Sequence, residues 1–308
     1  MNEENKNPLL CDTDSGVCAI PGVNESDSSQ ADFSKVKPVK ITYFTDPICS
    51  TCWGIEPQLR KLKLEYGSNF EIDYRMGGLL PDWSYNSGGI SKPSDVASHW
   101  EEVSAHYDMP IDGDVWLEDP LSSSYPPSVA VKAAQLQDTD KAVRFMRKLR
   151  ELLFLEKKNI TRWEVIREAA IAVGLDTFQL KDDYEGKANE MFQDDLAYAR
   201  KLGVRGFPTL FFTDQEDNQI TLYGFKPYQV FESSLLRVFP EAEKKQVQLS
   251  TELSIFDYYP TLTVKEYAVI ADISSEDAAQ TLEALVSEEK LDKIIIKNGV
   301  MYKSKVSF

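Results

Sequence analysis

VKITYFTDPICSTCW, residues 39–53, is the stretch that decides the fold. It begins with an apolar run that predicts a strand. From Trp53 to Tyr66, apolar side chains recur at helical spacing, which predicts a helix. Cys49 and Cys52 therefore lie where a strand passes into a helix. Two cysteines at such a junction are typical of a redox centre, because the free N–H groups of a helix N-terminus stabilise a thiolate.

The chemistry of a dithiol gives each sulfur a different role. Cys49 lies at the first turn of the helix, where the helix dipole lowers the pKa of a thiol. Cys52 lies one turn further on the same face and is placed to resolve a mixed disulfide. Glu56, four residues after Cys52, has two interpretations: a proton acceptor for the resolving thiol, or a carboxylate on a solvated helix face. The same two interpretations apply to Asp46.

A second motif, GFPT at residues 206–209, precedes another apolar run. X-Pro bonds adopt the cis form far more readily than other peptide bonds, and the Phe207–Pro208 bond is predicted to be cis. A cis bond would expose backbone beside the thiols, where a peptide could pair; the other interpretation is an ordinary trans proline that opens a strand. The predicted substrate-binding residues are Trp53, Phe207, Pro208 and Thr209.

The pattern after the dithiol predicts one α/β domain over residues 39–240 with a large helical insertion. Residues 70–76 alternate and predict a strand parallel to the first, joined to it by the helix. The insertion covers about residues 79–202. Its first part, to residue 126, is predicted irregular and its second part helical throughout. A hairpin over residues 209–224 and a final helix complete the domain.

Three local signals refine this prediction. Pro57 should kink the helix that carries the dithiol, because proline has no backbone N–H. The run from Thr161 to Glu164 predicts a capping box at a helix start. His99 and His106 lie seven residues apart, hence on one helical face, and are predicted to be packing or surface residues rather than metal ligands.

Residues 251–308 predict a small module of winged-helix type, in which three helices precede a hairpin with an Asn-Gly turn. The third helix would read DNA in such a module, yet residues 275–288 contain no Lys or Arg. Residues 250–308 hold 6 basic and 10 acidic side chains. Because DNA binding requires neutralisation of phosphates, we expect a protein-docking module and no nucleic-acid partner.

The N-terminal segment, residues 1–38, is polar and without periodicity, and is predicted to be a flexible tail with a second cysteine pair. Cys11 and Cys18 have three interpretations: a disulfide within the segment, a second redox pair, or zinc ligands together with Cys49 and Cys52. Their spacing is looser than in a short zinc knuckle. No metal and no other cofactor is therefore expected.

Composition narrows the class of protein further. A net charge of −16 over 308 residues disfavours nucleic acid and anionic lipid as partners. No apolar run has the length of a membrane span, and the acidic start MNEEN is unlike a signal peptide, so the predicted location is the cytoplasm. In a reducing compartment, paired cysteines are more typical of catalytic, redox-sensing or metal-binding sites than of a disulfide scaffold.

FTDPICSTCWGIEP, residues 44–57, resembles the DsbA-like branch of the thioredoxin superfamily, which includes the FrnE-type predicted dithiol–disulfide isomerases. Within this branch the chain is most similar to the SpxH (YjbH) group of ClpXP adaptors. That similarity rests on residues 59–67, 119–125 and 157–161 and on the terminal module from Phe256 to Ser304.

The resemblance implies a thioredoxin fold of α/β class with an inserted helical subdomain, followed by a small winged-helix-like module. It also implies that Cys49 is the nucleophile, Cys52 the resolving thiol and Pro208 the cis-proline. The adaptor group often has proline after the first cysteine, where this chain has Ser50. The reduction potential of the pair therefore does not follow from the resemblance.

The sequence supports two functions of different kinds. The main prediction is a cytosolic dithiol–disulfide oxidoreductase or isomerase that acts on protein thiols through Cys49 and Cys52, and the presence of Pro208 favours it. The alternative is an adaptor that delivers a client to the ClpXP protease with little or no redox catalysis. Such a client would be an Spx-like transcription regulator, and the additional terminal module favours this alternative.

Overall fold

A computed structural model describes residues 37–84, 90–245 and 251–305, together with the backbone of residues 17–20. Strands β1 to β8 span Val17–Ile20, Val39–Thr45, Phe70–Met76, Thr209–Thr213, Gln219–Tyr223, Thr261–Thr263, Leu291–Ile296 and Gly299–Ser304. Helices α1 to α12 span Ser50–Gly54, Glu56–Tyr66, Pro93–Tyr107, Val115–Glu118, Tyr125–Gln137, Thr139–Phe154, Trp163–Ala172, Thr177–Glu185, Lys187–Lys201, Tyr228–Val238, Val264–Ala271 and Ser275–Ser287. A 3₁₀ helix spans Glu252–Asp257.

The centre of the main domain is a five-stranded sheet in the order β1-β5-β4-β2-β3. β2 and β3 are parallel, as predicted, whereas the other neighbours in the sheet are antiparallel. In the register of β2 and β4, Phe44 lies beside Thr209. Because Cys49 follows β2 and Pro208 precedes β4, both sequence motifs lie at the same end of the sheet.

The helix that carries the dithiol is divided in two rather than kinked. α1 ends at Gly54, Ile55 separates the two helices, and Pro57 lies in the first turn of α2. A first turn tolerates proline because its backbone nitrogen has no helical acceptor there. Leu59 and Leu62 of α2 pack into a core between the sheet and α10.

The prediction that residues 79–126 are irregular is wrong, because this part of the insertion contains α3 and α4. Val96, Trp100 and Val103 of α3 are buried at spacings of four and three residues, which is a helical pattern. His99 and His106 are exposed on α3, as expected for surface residues.

Two further details of the insertion differ from the sequence prediction. Thr161 Oγ1 donates to Asn159 Oδ1 at 2.6 Å, so the predicted capping box is absent and α7 begins after Arg162. The part of the insertion predicted to be helical throughout is interrupted at Gly186, which separates α8 from α9. Among the described residues, no helix has both the length and the apolar character needed to cross a bilayer.

The N-terminal segment contributes an edge strand. Val17–Ile20 pair with β5 in antiparallel register, so the prediction of an irregular tail over residues 1–38 is wrong at these four positions. Cys11 lies outside the described residues, and only the backbone of Cys18 is described. The three interpretations of this cysteine pair therefore stay predictions.

The C-terminal module has the element order of a winged helix: a 3₁₀ helix, β6, α11, α12, β7 and β8. Its small sheet has the order β6-β8-β7, and Asn298 lies in the turn between β7 and β8. Phe256, Leu282 and Tyr302 belong to a core of its own. The predicted module is confirmed, except that its first helix is of 3₁₀ type.

Candidate functional site

Cys49 and Cys52 form a disulfide at the start of α1, with their Cα atoms 5.2 Å apart. Cys49 is the N-cap residue, and its Sγ accepts the backbone N–H of Cys52 at 3.1 Å. Its own N–H donates to the carbonyl oxygen of Asp46 at 3.1 Å. The first sulfur therefore lies where free helix N–H groups favour negative charge, as the sequence predicts.

The cysteine pair is covered by protein. Cys49 is 3% exposed and Cys52 is fully buried. Tyr107, the last residue of α3, packs against the backbone of α1: a Cβ on Gly54 would lie 2.6 Å from Tyr107 Cδ2. The ring of Tyr107 stacks on Phe225, which follows β5, with 4.5 Å between centroids. In this conformation the helical insertion lies over the helix that carries the sulfurs.

The proline loop lies at the same sheet end as the dithiol. The Phe207–Pro208 bond is cis, which confirms the prediction. Pro208 is buried and its carbonyl oxygen accepts the N–H of Gly224 at 2.9 Å. Thr209 is buried and its hydroxyl donates to the carbonyl oxygen of Gly206 at 2.8 Å. Phe207 is half-buried, with its ring against Gly77, and is the most exposed of the three predicted substrate-binding residues in this loop.

Trp53 is not placed to contact a client, which corrects the sequence prediction. Its side chain is fully buried, and its indole N–H donates to the carbonyl oxygen of Pro110 at 3.1 Å. The guanidinium of Arg147 lies 4.2 Å from the centroid of the Trp53 ring, a cation–π contact. Phe154 packs beside the ring at 5.5 Å between centroids. Trp53 therefore anchors α1 in the insertion.

Glu56 is held by arginines, so the interpretation as a carboxylate on a solvated helix face is wrong, whereas the role of proton acceptor stays a prediction. Its Oε1 binds Arg150 Nη1 at 2.5 Å, and its Oε2 lies 3.7 Å from Arg60 Nε and 3.9 Å from Arg147 Nη1. The side chain is 13% exposed, so it does not lie on a solvated face. The carboxylate is therefore a shared ion-pair partner of three guanidinium groups from α2 and α6.

Asp46 is a buried acid next to the dithiol rather than a solvated one. Its Oδ1 accepts the N–H of Ile48 at 3.0 Å, and its Oδ2 accepts the N–H of Leu79 at 2.8 Å and the hydroxyl of Ser124 at 2.9 Å. Burial raises the pKa of Asp46 to about 6, although these donors and Arg150 oppose the shift. Asp46 thus ties the loop before Cys49 to the start of the insertion.

The C-terminal module reaches this site through Glu266, which the sequence analysis did not single out. Glu266 Oε1 and Oε2 accept from Arg147 Nη1 and Nη2 at 2.8 and 3.1 Å, and Oε1 lies 3.2 Å from Arg60 Nη1. Burial acts to raise the pKa of Glu266, but the two arginines outweigh it and hold that pKa below its ordinary value. The sequence signal was the capping box formed with Thr263, whose N–H Glu266 accepts at 2.8 Å.

One cluster of acidic residues in the described part of the chain has metal-ligand spacing, but its carboxylates are bound by the ammonium group of a lysine and the amide of an asparagine. Glu101, Asp112 and Asp114 bring carboxylate oxygens within 4.8 Å of one another. Lys297 Nζ lies 3.0 Å from Glu101 and 2.8 Å from Asp114, and Asn298 donates to Glu101 at 2.6 Å. These contacts fix the β7–β8 turn on the insertion. Cys49 and Cys52 are bonded to each other and Cys11 lies outside the described residues, so zinc at the cysteines stays a prediction.

A protein-family model described as Thioredoxin matches residues 43–233. Among curated proteins, the ClpXP adapter protein SpxH of Halalkalibacterium halodurans is 36% identical over 300 residues, which cover 96% of this chain and 96% of that protein. The protein of the same name from Bacillus subtilis is 33% identical over 273 residues, which cover 87% of this chain and 90% of its own length.

Two solved structures resemble about two thirds of this chain. A putative protein disulfide isomerase from Nitrosomonas europaea has a TM-score of 0.58 at 18% identity and covers 67% of this chain and 98% of its own. The cytosolic disulfide reductase DsbM from Pseudomonas aeruginosa has a TM-score of 0.52 at 20% identity, and the match covers 64% of this chain and 98% of DsbM. At such identities the likeness shows the fold, so the predicted thioredoxin fold with its helical insertion is confirmed.

Proposed function

Because this chain belongs to the thioredoxin family and, within it, to the ClpXP adapter proteins named SpxH, we propose that it binds a client protein and delivers it to the ClpXP protease. This was the alternative in the sequence analysis, and it now replaces the oxidoreductase as the leading function. An Spx-like transcription regulator is the proposed client, and the cytoplasm is the proposed location.

The observation that carries the proposal is the extent of the similarity. The SpxH relative from Halalkalibacterium halodurans matches 96% of this chain, so the match includes the C-terminal module. The disulfide isomerase and reductase structures are themselves covered to 98%, yet they account for only 67% and 64% of this chain. A function that uses the whole chain is therefore better supported by the adapters than by the redox enzymes.

Burial of the dithiol supports the same conclusion. A thiol–disulfide enzyme requires attack by a client sulfur along an accessible path. Here Cys49 is 3% exposed and Cys52 has no exposed surface, while Tyr107 packs on Gly54 of α1 and stacks on Phe225. Docking of a client on the outside of the protein does not require access to these sulfurs.

Thiol–disulfide exchange is a second candidate, supported by Cys49 at a helix N-terminus and by the Pro208 loop at the same end of the sheet. A client thiolate would attack Cys49 Sγ, form a mixed disulfide and release Cys52 as a thiolate. A second client thiolate would then attack the client sulfur of the mixed disulfide and release Cys49. The client would leave oxidised by two electrons and the Cys49–Cys52 pair reduced.

A reconstituted degradation assay separates the two functions. Purified ClpXP and an Spx-like regulator are incubated with the native chain or with the Cys49→Ala, Cys52→Ala double variant, and loss of the regulator is followed over time. We expect both proteins to accelerate degradation to a similar extent. No acceleration by either protein would refute the adapter function, and acceleration by the native chain alone would make the dithiol essential.

The exchange reaction has its own test. In the reverse direction, the Cys49 thiolate of a Cys52→Ser variant attacks a client disulfide, forms a mixed disulfide and releases the other client sulfur as a thiolate. No Cys52 thiol is then present to attack Cys49 and release the client, so mixed disulfides accumulate and can be identified after purification. A Cys49→Ser, Cys52→Ser variant is the matched control. An absence of trapped protein under oxidising conditions, with degradation intact, would leave the adapter function standing alone.

A further inference from the structure

A buried cluster of charges connects the C-terminal module to the cysteine pair. It contains three guanidinium groups and three carboxylates, drawn from α2, α6 and α11: Glu56, Arg60, Arg147, Arg150, Glu151 and Glu266. Each of these side chains is at most 13% exposed, and those of Arg150 and Glu266 are fully buried. A charge removed here is poorly screened by solvent.

Arg147 joins the cluster to α1 through the ring of Trp53. Glu266 holds Arg147 in a bidentate pair at 2.8 and 3.1 Å, and Arg147 in turn lies 4.2 Å from the ring of Trp53. Trp53 follows Cys52 directly in the chain. Arg147 also donates to Glu151 at 2.9 Å, which fixes the plane of the guanidinium from the side of its own helix.

A second contact joins the module to the same tryptophan. The indole N–H of Trp53 donates to the carbonyl oxygen of Pro110, and a Cβ on Gly299 would lie 3.0 Å from Pro110 Cβ. Asn298 donates to the carbonyl oxygen of Ile111 at 2.8 Å. The turn of the module therefore supports the loop that receives Trp53, while Glu266 supports the cation above its ring.

We propose that Glu266 is a positioning residue for the Cys49–Cys52 pair, and that through Arg147 and Trp53 it sets the reduction potential of the pair. The C-terminal module is then part of the redox centre as well as a docking element. This inference does not rest on the adapter function, because it concerns the equilibrium of the isolated protein with a small thiol.

The direction in which Glu266→Gln should change the reduction equilibrium follows from the charge that it removes. Reduction converts the disulfide into two thiols while two molecules of glutathione become one molecule of glutathione disulfide, and Cys49 at the helix N-terminus is the sulfur that ionises. Glu266→Gln keeps the size and the hydrogen-bonding capacity of the side chain but leaves one excess positive charge in the cluster. That charge favours the reduced, thiolate form and makes the disulfide easier to reduce.

The size of the change in the equilibrium constant depends on the distance between the charges and on the dielectric constant. Two unit charges about 12 Å apart at an effective dielectric constant of about 20 change an equilibrium by about five- to tenfold, and we take this order of magnitude for Glu266. This corresponds to a rise in reduction potential of about 20 to 30 mV, since a tenfold change is about 30 mV for a two-electron couple.

The test equilibrates the full-length protein with glutathione buffers of graded potential, quenches by alkylation and quantifies the reduced Cys49–Cys52 peptide by mass spectrometry. Glu266→Gln should raise the equilibrium constant for reduction about five- to tenfold. Arg60→Gln removes a positive charge from the same cluster, beside the same carboxylate, and should lower the constant. Glu288→Gln, an exposed carboxylate of the same module paired with Lys290, should leave it unchanged.

The opposite signs of the two changes in the equilibrium constant distinguish an electrostatic effect from a general loss of stability. Loosening of the fold would make the disulfide easier to reduce in both cluster variants, whereas the charge argument requires the two to move in opposite directions. If Glu266→Gln does not fold, Arg60→Gln alone still carries the prediction. Shifts of the same sign, or shifts below about twofold in the folded variants, would overturn the proposal.

Discussion

Replacing Asp46 by asparagine should change how the stability of the protein depends on pH. Burial raises the pKa of Asp46 from 3.8 to about 6. Between these values the folded state keeps a proton that the unfolded state has lost, so the contribution of Asp46 to native stability falls as the pH rises and levels off above 6. Asparagine does not titrate, and the variant loses this dependence.

The magnitude follows from the shift in pKa. About 2 units correspond to about 3 kcal/mol in total, of which about 1.4 kcal/mol falls between pH 5 and pH 7.5. This range lies above the isoelectric point of about 4.7, where the protein carries a net negative charge. The amide nitrogen of asparagine cannot accept the N–H of Leu79, which costs about 1–3 kcal/mol at every pH and leaves the slope unchanged.

Urea unfolding of the native protein and the variant at several pH values between 5 and 7.5 measures the difference directly. We expect the free energy of unfolding of the native protein, relative to the variant, to fall by about 1.4 kcal/mol across this range. Ser124→Ala is the matched control, since it keeps the carboxylate and removes a donor that lowers its pKa. If the difference in free energy of unfolding between the two proteins is constant with pH, or grows with pH, the conclusion that burial raises the pKa of Asp46 is refuted.

Three further predictions concern the surroundings of the dithiol and the surface of the module. After reduction, iodoacetamide should label Cys49 before Cys52, because Cys52 has no exposed surface; peptide mapping at partial labelling gives the order, and equal rates would contradict it. Gly54→Ala should lower the free energy of unfolding by about 1–3 kcal/mol, since the added methyl would lie 2.6 Å from the ring of Tyr107; the same change in a Tyr107→Ala background should cost less. The full-length protein should not shift a DNA duplex in a gel at any ionic strength, because α12 carries acidic side chains and no basic ones; a sequence-specific complex would show this to be wrong.

Local patterns were enough to predict the parts of the site that are local. The position of Cys49 at a helix N-terminus follows from the order of an apolar run and a helical repeat, which are adjacent in the sequence. The cis bond before Pro208 and the Asn-Gly turn are likewise properties of a few consecutive residues. The helix α3 could have been predicted too, because Val96, Trp100 and Val103 have helical spacing.

The surroundings of Trp53 and Glu56 could not be predicted in the same way. Glu56 follows Cys52 by four residues and looks like a surface position, but Arg150, 94 residues away, covers it. The Arg147 that lies on Trp53 is fixed by Glu266, 119 residues further along the chain. A single sequence shows the periodicity of a helix, but it does not show which distant element packs on each face.

The pairing of Glu266 with Arg60 and Arg147 imposes an order on synthesis. With 119 residues between Arg147 and Glu266, a ribosome that adds about 5–20 residues per second needs about 6 to 24 s to deliver the carboxylate after the second arginine. During that interval Arg60 and Arg147 have Glu56 and Glu151 as partners but lack Glu266, so the burial of their charges is only partly compensated. A polypeptide truncated before residue 266 lacks this third carboxylate, so we expect the arginines of its main domain to stay hydrated on the face that α11 would cover.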